Sequence, residues 1–179
     1  MKTFEIIKFG SNFLREKKIL SYILDSEILL SKVLNKSREK ILTNLDQKID
    51  KRKISVFKDY LLRRSNNEPI AYILEEKEFW SKNFKVNKNT LIPRPETELL
   101  VDMVLKIYKE KKISILDIGT GSGCIIVSLL SVLKKSNGVG IDISKDAIKT
   151  AKKNALKHKL FKRLKFLNKS FETIFDKKF

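Results

Sequence analysis

The sequence predicts an α/β chain: a bundle of short N-terminal helices, a linking β-hairpin, and then the first β-α-β units of a nucleotide-binding sheet. Three observations predict it. No glycine or proline interrupts the helical spacing of apolar residues between Ser11 and Glu68. Aromatic residues then flank a short turn in Glu78-Phe-Trp-Ser-Lys-Asn-Phe-Lys-Val86. From Ile113 an apolar run (Ile113, Ile115, Leu116, Ile118) holds the acid Asp117 and leads into glycines at alternate positions, Gly119, Gly121 and Gly123. A strand, a glycine turn and a buried helix in that order can cradle a nucleotide.

The elements follow in order. Phe4, Ile6, Ile7, Phe13 and Leu14 recur at helical spacing. Asp25 to Leu34 is amphipathic, with Ile28, Leu29, Val33 and Leu34 expected on one face. Asn35-Lys36-Ser37 breaks the pattern, and Ser37 is an N-cap candidate for the next helix. Asp50 to Arg64 gives another helix, with Ile54, Phe57, Leu61 and Leu62 apolar. These stripes read as core. Asn66-Asn67-Glu68-Pro69 ends the bundle. In Ile92-Pro-Arg-Pro-Glu96 two prolines hold the chain extended around Arg94, and Pro95 suits the first turn of a helix. That helix is expected over 96–110, with Leu99, Leu100, Met103, Val104 and Ile107 facing inward. A helix from about Ser122 to Leu133, a strand over 138–142, a helix capped by Ser144 and a strand over 164–167 complete the pattern. The expected divisions are 1–74 helical, 75–92 hairpin linker, and 93–179 partial nucleotide-binding domain.

Composition sets limits. The 179 residues are 42% hydrophobic and 34% charged, which suits a globular protein with a core. The apolar run Cys124 to Leu133 is too short to span a bilayer, and the N-terminus lacks the pattern of a signal peptide. One cysteine excludes an internal disulfide framework. A cytoplasmic protein is therefore expected. The net charge is +18, from 39 Lys and Arg against 21 Asp and Glu. Lysine is frequent throughout and no clustered stripe stands out, so direct nucleic-acid binding is not expected. No His/Cys/acid cluster suggests a metal. His158, the lone histidine, reads as a helix C-terminal contact and Cys124 as a small buried residue.

The second acid narrows the ligand. Asp142 ends the second strand of the sheet, 19 residues after Gly123, where α/β nucleotide folds place a carboxylate that accepts from ribose hydroxyls. The dinucleotide fingerprint G-x-G-x-x-G fails, because its last position is Cys124. Instead Asp117 stands two residues before the first glycine. S-adenosyl-L-methionine has no pyrophosphate to cradle, and its cationic amino-acid end needs acceptors.

This Asp-x-Gly-x-Gly-x-Gly form resembles motif I of the class I (Rossmann-like) methyltransferases. Three further segments resemble the release-factor glutamine methyltransferase family, also called HemK or PrmC. They are Asp25-Ser-Glu-Ile-Leu-Leu30 with Val33-Leu34, Glu68-Pro-Ile-Ala-Tyr72 with Glu78-Phe-Trp80, and Leu91-Ile-Pro-Arg-Pro-Glu-Thr-Glu98, the most specific of them. The resemblance implies a helical domain that helps bind peptide chain release factors. It also implies methylation of the side-chain amide of the glutamine in their Gly-Gly-Gln loop. It gives Asp117 the methionine end of S-adenosyl-L-methionine, Gly119, Thr120, Gly121, Ser122 and Gly123 the cradle, Asp142 the ribose and Phe171 a flank of the adenine. Ser170 stands where the family often has an acid. Arg94 and Thr97 lie on a segment expected to cover the pocket. The family's Asn-Pro-Pro-Tyr motif, which orients the substrate amide, is not in the sequence. No catalytic residue is therefore assigned, and the chain is expected to be an incomplete methyltransferase domain, inactive by itself. Two alternatives stand beside this: a methyltransferase acting on an exocyclic amine of DNA or RNA, and a non-catalytic module that binds release factor.

Overall fold

The computed structural model describes residues 1–175. The segment 176–179 lies outside them. The chain divides into two compact units, Met1–Leu74 and Glu75–Phe179.

The first unit is helical: α1 (Thr3–Glu16), α2 (Tyr22–Leu34), α3 (Arg38–Leu42), α4 (Lys51–Ser65) and α5 (Ile70–Leu74). Local chemistry sets the ends. The Ser37 hydroxyl accepts from the Lys40 amide, the Asp50 carboxylate accepts from the Arg52 amide, and α2 stops at Asn35 in the left-handed region. Ile6, Leu14, Leu29, Leu30, Phe57 and Leu61 form the core. The expected stripe of α2 is only partly right: Leu29 and Leu34 are buried, but Ile28 and Val33 are half-buried while Asp25, Ser26 and Glu27 lie inside. These polar groups are paired. Asp25, 4% exposed, accepts from the Arg64 guanidinium at 2.7 Å and from the Ser21 hydroxyl at 2.7 Å. Glu27 pairs with Arg38, and the Ser26 hydroxyl donates to the Ile7 carbonyl. Polarity alone marks such residues as exposed. The partners that bring them inside are distant in sequence.

The second unit opens with the hairpin β1 (Glu76–Phe79) and β2 (Lys82–Lys85), joined by Trp80 and Ser81 at φ 49° and 53°. Positive φ at both turn positions fits the twist of a two-residue hairpin but is costly for tryptophan. Glu98 stabilises the turn: its carboxylate accepts from the Trp80 amide, while Asp102 accepts from the indole N–H. These two bonds also fix the rotation of α6 (Glu98–Tyr108), which follows a 3-10 turn at Pro95–Thr97. The inward face expected for this helix is corrected here. Val101 is buried, and Val104 and Leu105 pack on the core, whereas Leu99 (65%), Leu100, Met103 (64%) and Ile107 are exposed. Glu98, Asp102 and Lys106 recur on one side of the helix, so periodicity points the opposite, apolar side inward. The anchors at Glu98 and Asp102 turn their own side toward the hairpin.

A parallel sheet of order β3-β4-β5 completes the unit: β3 (Ser114–Ile118), β4 (Asn137–Asp142) and β5 (Leu164–Asn168). Helix α7 (Cys124–Val132) joins the first pair of strands and α8 (Lys145–Lys157) the second, with a short α9 (Glu172–Phe175) after β5. Two steps in one direction with right-handed crossovers put both helices on one face. Ile126, Leu130, Ala151, Leu164 and Phe166 fill the space there, and Leu116, Ile118 and Leu167 stay exposed. This is the expected class: a helical region, then a partial Rossmann-like sheet. Among the described residues, no helix is long and apolar enough to cross a membrane.

Candidate functional site

Parallel strands deliver their C-terminal ends to one side of a sheet, and ligands of such folds bind there. Here β3 ends on Asp117 and Ile118, β4 on Asp142, and β5 runs to Asn168, with Ser170 and Phe171 just beyond. The turn after β3 crosses this edge with Gly119, Gly121 and Gly123 at φ 70°, 54° and 79°. That region strains any residue with a Cβ. At Gly119 a Cβ would meet nothing within 4 Å, and at Gly121 only the Gly119 carbonyl at 3.9 Å. The turn is thus bent by its backbone and is open on the side it presents.

Hydrogen bonds lock the turn to the strand ends. The Thr120 amide donates to the Ile141 carbonyl at 2.9 Å, and the Thr120 hydroxyl to Asp117 Oδ2 at 2.7 Å. The Gly121 amide donates to Asp142 Oδ2 and the Ser144 amide to Asp142 Oδ1, both at 2.9 Å. Asp142 therefore ties the glycine turn to the start of α8 while each oxygen keeps a further acceptor site. Its backbone is held too, because the Asn168 side-chain amide donates to the carbonyls of Asp142 and Ile143.

Burial raises the Asp117 carboxyl above its ordinary value, the Thr120 hydroxyl opposes this, and the nearby Asp142 charge adds to it. A cation placed at Asp117 would relieve that desolvation. Cys124 is pushed up to about 11, chiefly by burial, so it is an inert packing residue. Ser122 is buried beneath the turn.

The structure brings together Asp117, Gly119, Thr120, Gly121, Ser122, Gly123 and Asp142. Phe171 is half-exposed and stands beyond the neighbouring strand, on the same side of the sheet. Arg94 is exposed in extended backbone at φ −92°, ψ 141°, leading into the 3-10 turn that holds Thr97.

Asn154 is a residue that sequence reasoning missed. It is fully buried in α8; its amide donates to the carbonyls of Ser122 and Lys85, and its oxygen accepts from the Lys85 amide at 2.7 Å. One side chain thus joins the glycine turn, the hairpin and α8. Its only signal was a polar residue in register with the buried Ala147, Ile148, Ala151 and Ala155 face. His158 caps α8 and reaches the Asn83 carbonyl with Nε2 at 3.1 Å, against the Phe84 ring at 5.0 Å. Burial lowers its pKa, so the neutral ring is the form that packs there. Among the described residues no group of three or more His, Cys, Asp or Glu is placed to hold a metal.

A parallel sheet, a glycine turn between two acid-terminated strands, and a helix from each strand define a class I methyltransferase domain. Residues 109–179 match a methyltransferase domain family, and residues 5–74 match the PrmC N-terminal domain family. A release factor glutamine methyltransferase of Leptospira interrogans is 42% identical over 153 residues, covering 84% of this chain and 54% of that protein. One from Buchnera aphidicola is 43% identical, covering 87% and 56%. A bifunctional methyltransferase of Rickettsia conorii is 39% identical, covering 98% and 38%. By these matches the chain is a homologue of the release factor glutamine methyltransferases, and its helical unit belongs to the PrmC N-terminal domain family. It spans from 38% to 56% of the length of these relatives.

Proposed function

We propose that this chain carries the S-adenosyl-L-methionine half-site of an enzyme that methylates the glutamine side-chain amide in the Gly-Gly-Gln loop of peptide chain release factors. The observation that carries the reading is the cradle itself. A glycine turn with open space above Gly119 lies between two carboxylates, Asp117 and Asp142, in a chain of net charge +18. That pair of acceptors fits a ligand with a diol and cationic centres. When bound, S-adenosyl-L-methionine supplies an electrophilic methyl group.

In this reading Asp142 accepts from the ribose hydroxyls and Asp117 faces the methionine ammonium, directly or through water. Gly119 to Gly123 let the backbone approach the cofactor, with Thr120 fixing Asp117 and Ser122 packed under the turn. Phe171 flanks the adenine. The helical unit, by its family, contributes release-factor binding, and the cell compartment is the cytoplasm.

Isothermal titration of the chain with S-adenosyl-L-methionine and S-adenosyl-L-homocysteine tests the half-site. Saturable binding of both is expected, and NAD should not compete. Absence of binding to a folded chain would overturn it. Incubation with release factor and radiolabelled cofactor tests the rest. Capture of release factor without label transfer is expected of these residues alone, since they lack Asn-Pro-Pro-Tyr.

A further inference from the structure

Ten Lys and Arg stand against one acid, Asp146, between Lys145 and Lys169. This stretch is α8, the following loop and β5, so lysines that read in sequence as evenly spread border these neighbouring elements of the second unit. Three of the ten are used internally. Lys149 pairs with Asp146, Lys157 with Glu76, and the Arg163 guanidinium donates to the carbonyls of Leu130, Leu133 and Ser136. The other seven, Lys145, Lys152, Lys153, Lys159, Lys162, Lys165 and Lys169, are exposed and form no ion pair among the described residues.

Along the edge of β5 that pairs with no strand among the described residues runs a groove of about 390 Å³, lined by Lys152, Ala155, Phe161, Lys165 and neighbouring β5 residues. The Phe161 ring is 57% exposed. An exposed aromatic between unpaired lysines is neither core nor an ordinary solvated face.

We propose that this α8–β5 groove binds a single-stranded nucleic acid, with Lys152 and Lys165 on successive phosphates and a base stacked on Phe161. Unpaired cations tracking a groove, together with an aromatic platform, are the two components of sequence-tolerant single-strand binding. An acidic polypeptide would satisfy the lysines but would leave the Phe161 ring without its partner. The surface lies at β5, whereas the cofactor cradle lies at the C-terminal ends of β3 and β4, so the proposal stands apart from the methyl-transfer reading.

Fluorescence anisotropy of the full chain with labelled oligouridylate and with oligothymidylate tests it. Binding that weakens steeply with salt is expected. In Lys152→Glu/Lys165→Glu the slope of log K on log salt should fall by about 1.4, which is 0.7 for each phosphate that a single strand no longer has neutralised. Phe161→Ala should weaken binding about 5- to 150-fold at constant charge. Lys51→Glu/Lys53→Glu, an equal charge change in the helical unit, should leave the slope near wild type. Circular dichroism establishes that each variant is folded. Equal losses in the two double variants would overturn the proposal by making the binding a net-charge effect. So would an unchanged affinity in Phe161→Ala, or binding to polyglutamate in preference to either oligonucleotide.

Discussion

Asp117 and Asp142 differ in what they need. Asp142 is satisfied by two backbone amides, at Gly121 and Ser144, and is built to accept more. Asp117 is half-buried, raised in pKa and accepts from the Thr120 hydroxyl. Asp142→Ala should therefore loosen the turn and remove the ribose acceptor together. Hydrogen bonds to a charged group are worth about 1.5–3 kcal/mol each, so affinity for S-adenosyl-L-methionine should fall at least about tenfold by calorimetry. Asp117 predicts a pH effect. Its folded pKa lies above the ordinary 3.8, so the folded chain favours the protonated carboxyl. Its contribution to stability is present at low pH and is lost as pH rises through the raised value. A cationic ligand reverses the preference. S-adenosyl-L-methionine should bind weakly where Asp117 is protonated and more tightly as pH rises through that value, and Asp117→Asn should flatten the profile. Gly119→Ala separates conformation from occupancy. Nothing contacts the new Cβ in the ligand-free fold, so stability should fall by about 1–2 kcal/mol from positive φ alone. Cofactor affinity should fall further than that, because the methyl enters the open space of the cradle.

The helices and strands were legible wherever one local signal sufficed. Ser37 and Ser144 cap as expected, and the β3 glycine turn and Asp142 fall where spacing placed them. Rotation of an element was legible only where its polar face met solvent. Helix α6 carries Glu98, Asp102 and Lys106 on one side, yet two bonds from Trp80 turn that side toward the hairpin, and nothing in the sequence marks the pairing. Asn154 was invisible for the same reason, since its partners at Ser122 and Lys85 are remote along the chain. The buried Asp25–Arg64 pair is a third case, and it carries a prediction about the helical unit. Arg64 is mostly buried and donates to Asp25 and the Glu68 carbonyl. Asp25→Ala would leave a buried guanidinium without its counter-charge, at a cost of about 3–5 kcal/mol. Chemical denaturation followed by helical circular dichroism should show the helical unit unfolding at lower denaturant. Asp25→Asn, which keeps one acceptor, should lose less.

Charge and exposed apolar surface act in opposite directions on the whole chain. At +18 the molecules repel one another, and that repulsion is screened beyond about 10 Å at 0.1 M salt. Leu99, Met103 and Ile107 on α6, with Leu116 and Ile118 on β3, expose large side chains. Beside them Leu100, Val104, Tyr108 and Ile113 line a cavity of about 460 Å³. Contiguous apolar surface drives association once charge no longer opposes it. The chain should therefore sediment as a monomer at low ionic strength and associate as sodium chloride is added, the reverse of what contacts between opposite charges would give. Leu99→Glu/Met103→Lys tests which surface is responsible. The two residues are one helical turn apart, so the new pair supports α6 in the favourable order. Both side chains are exposed, so stability should change by no more than about 0.5 kcal/mol. The double variant should remain monomeric at salt concentrations where the unaltered chain associates. Association that persists at equal strength would place the contact on another surface.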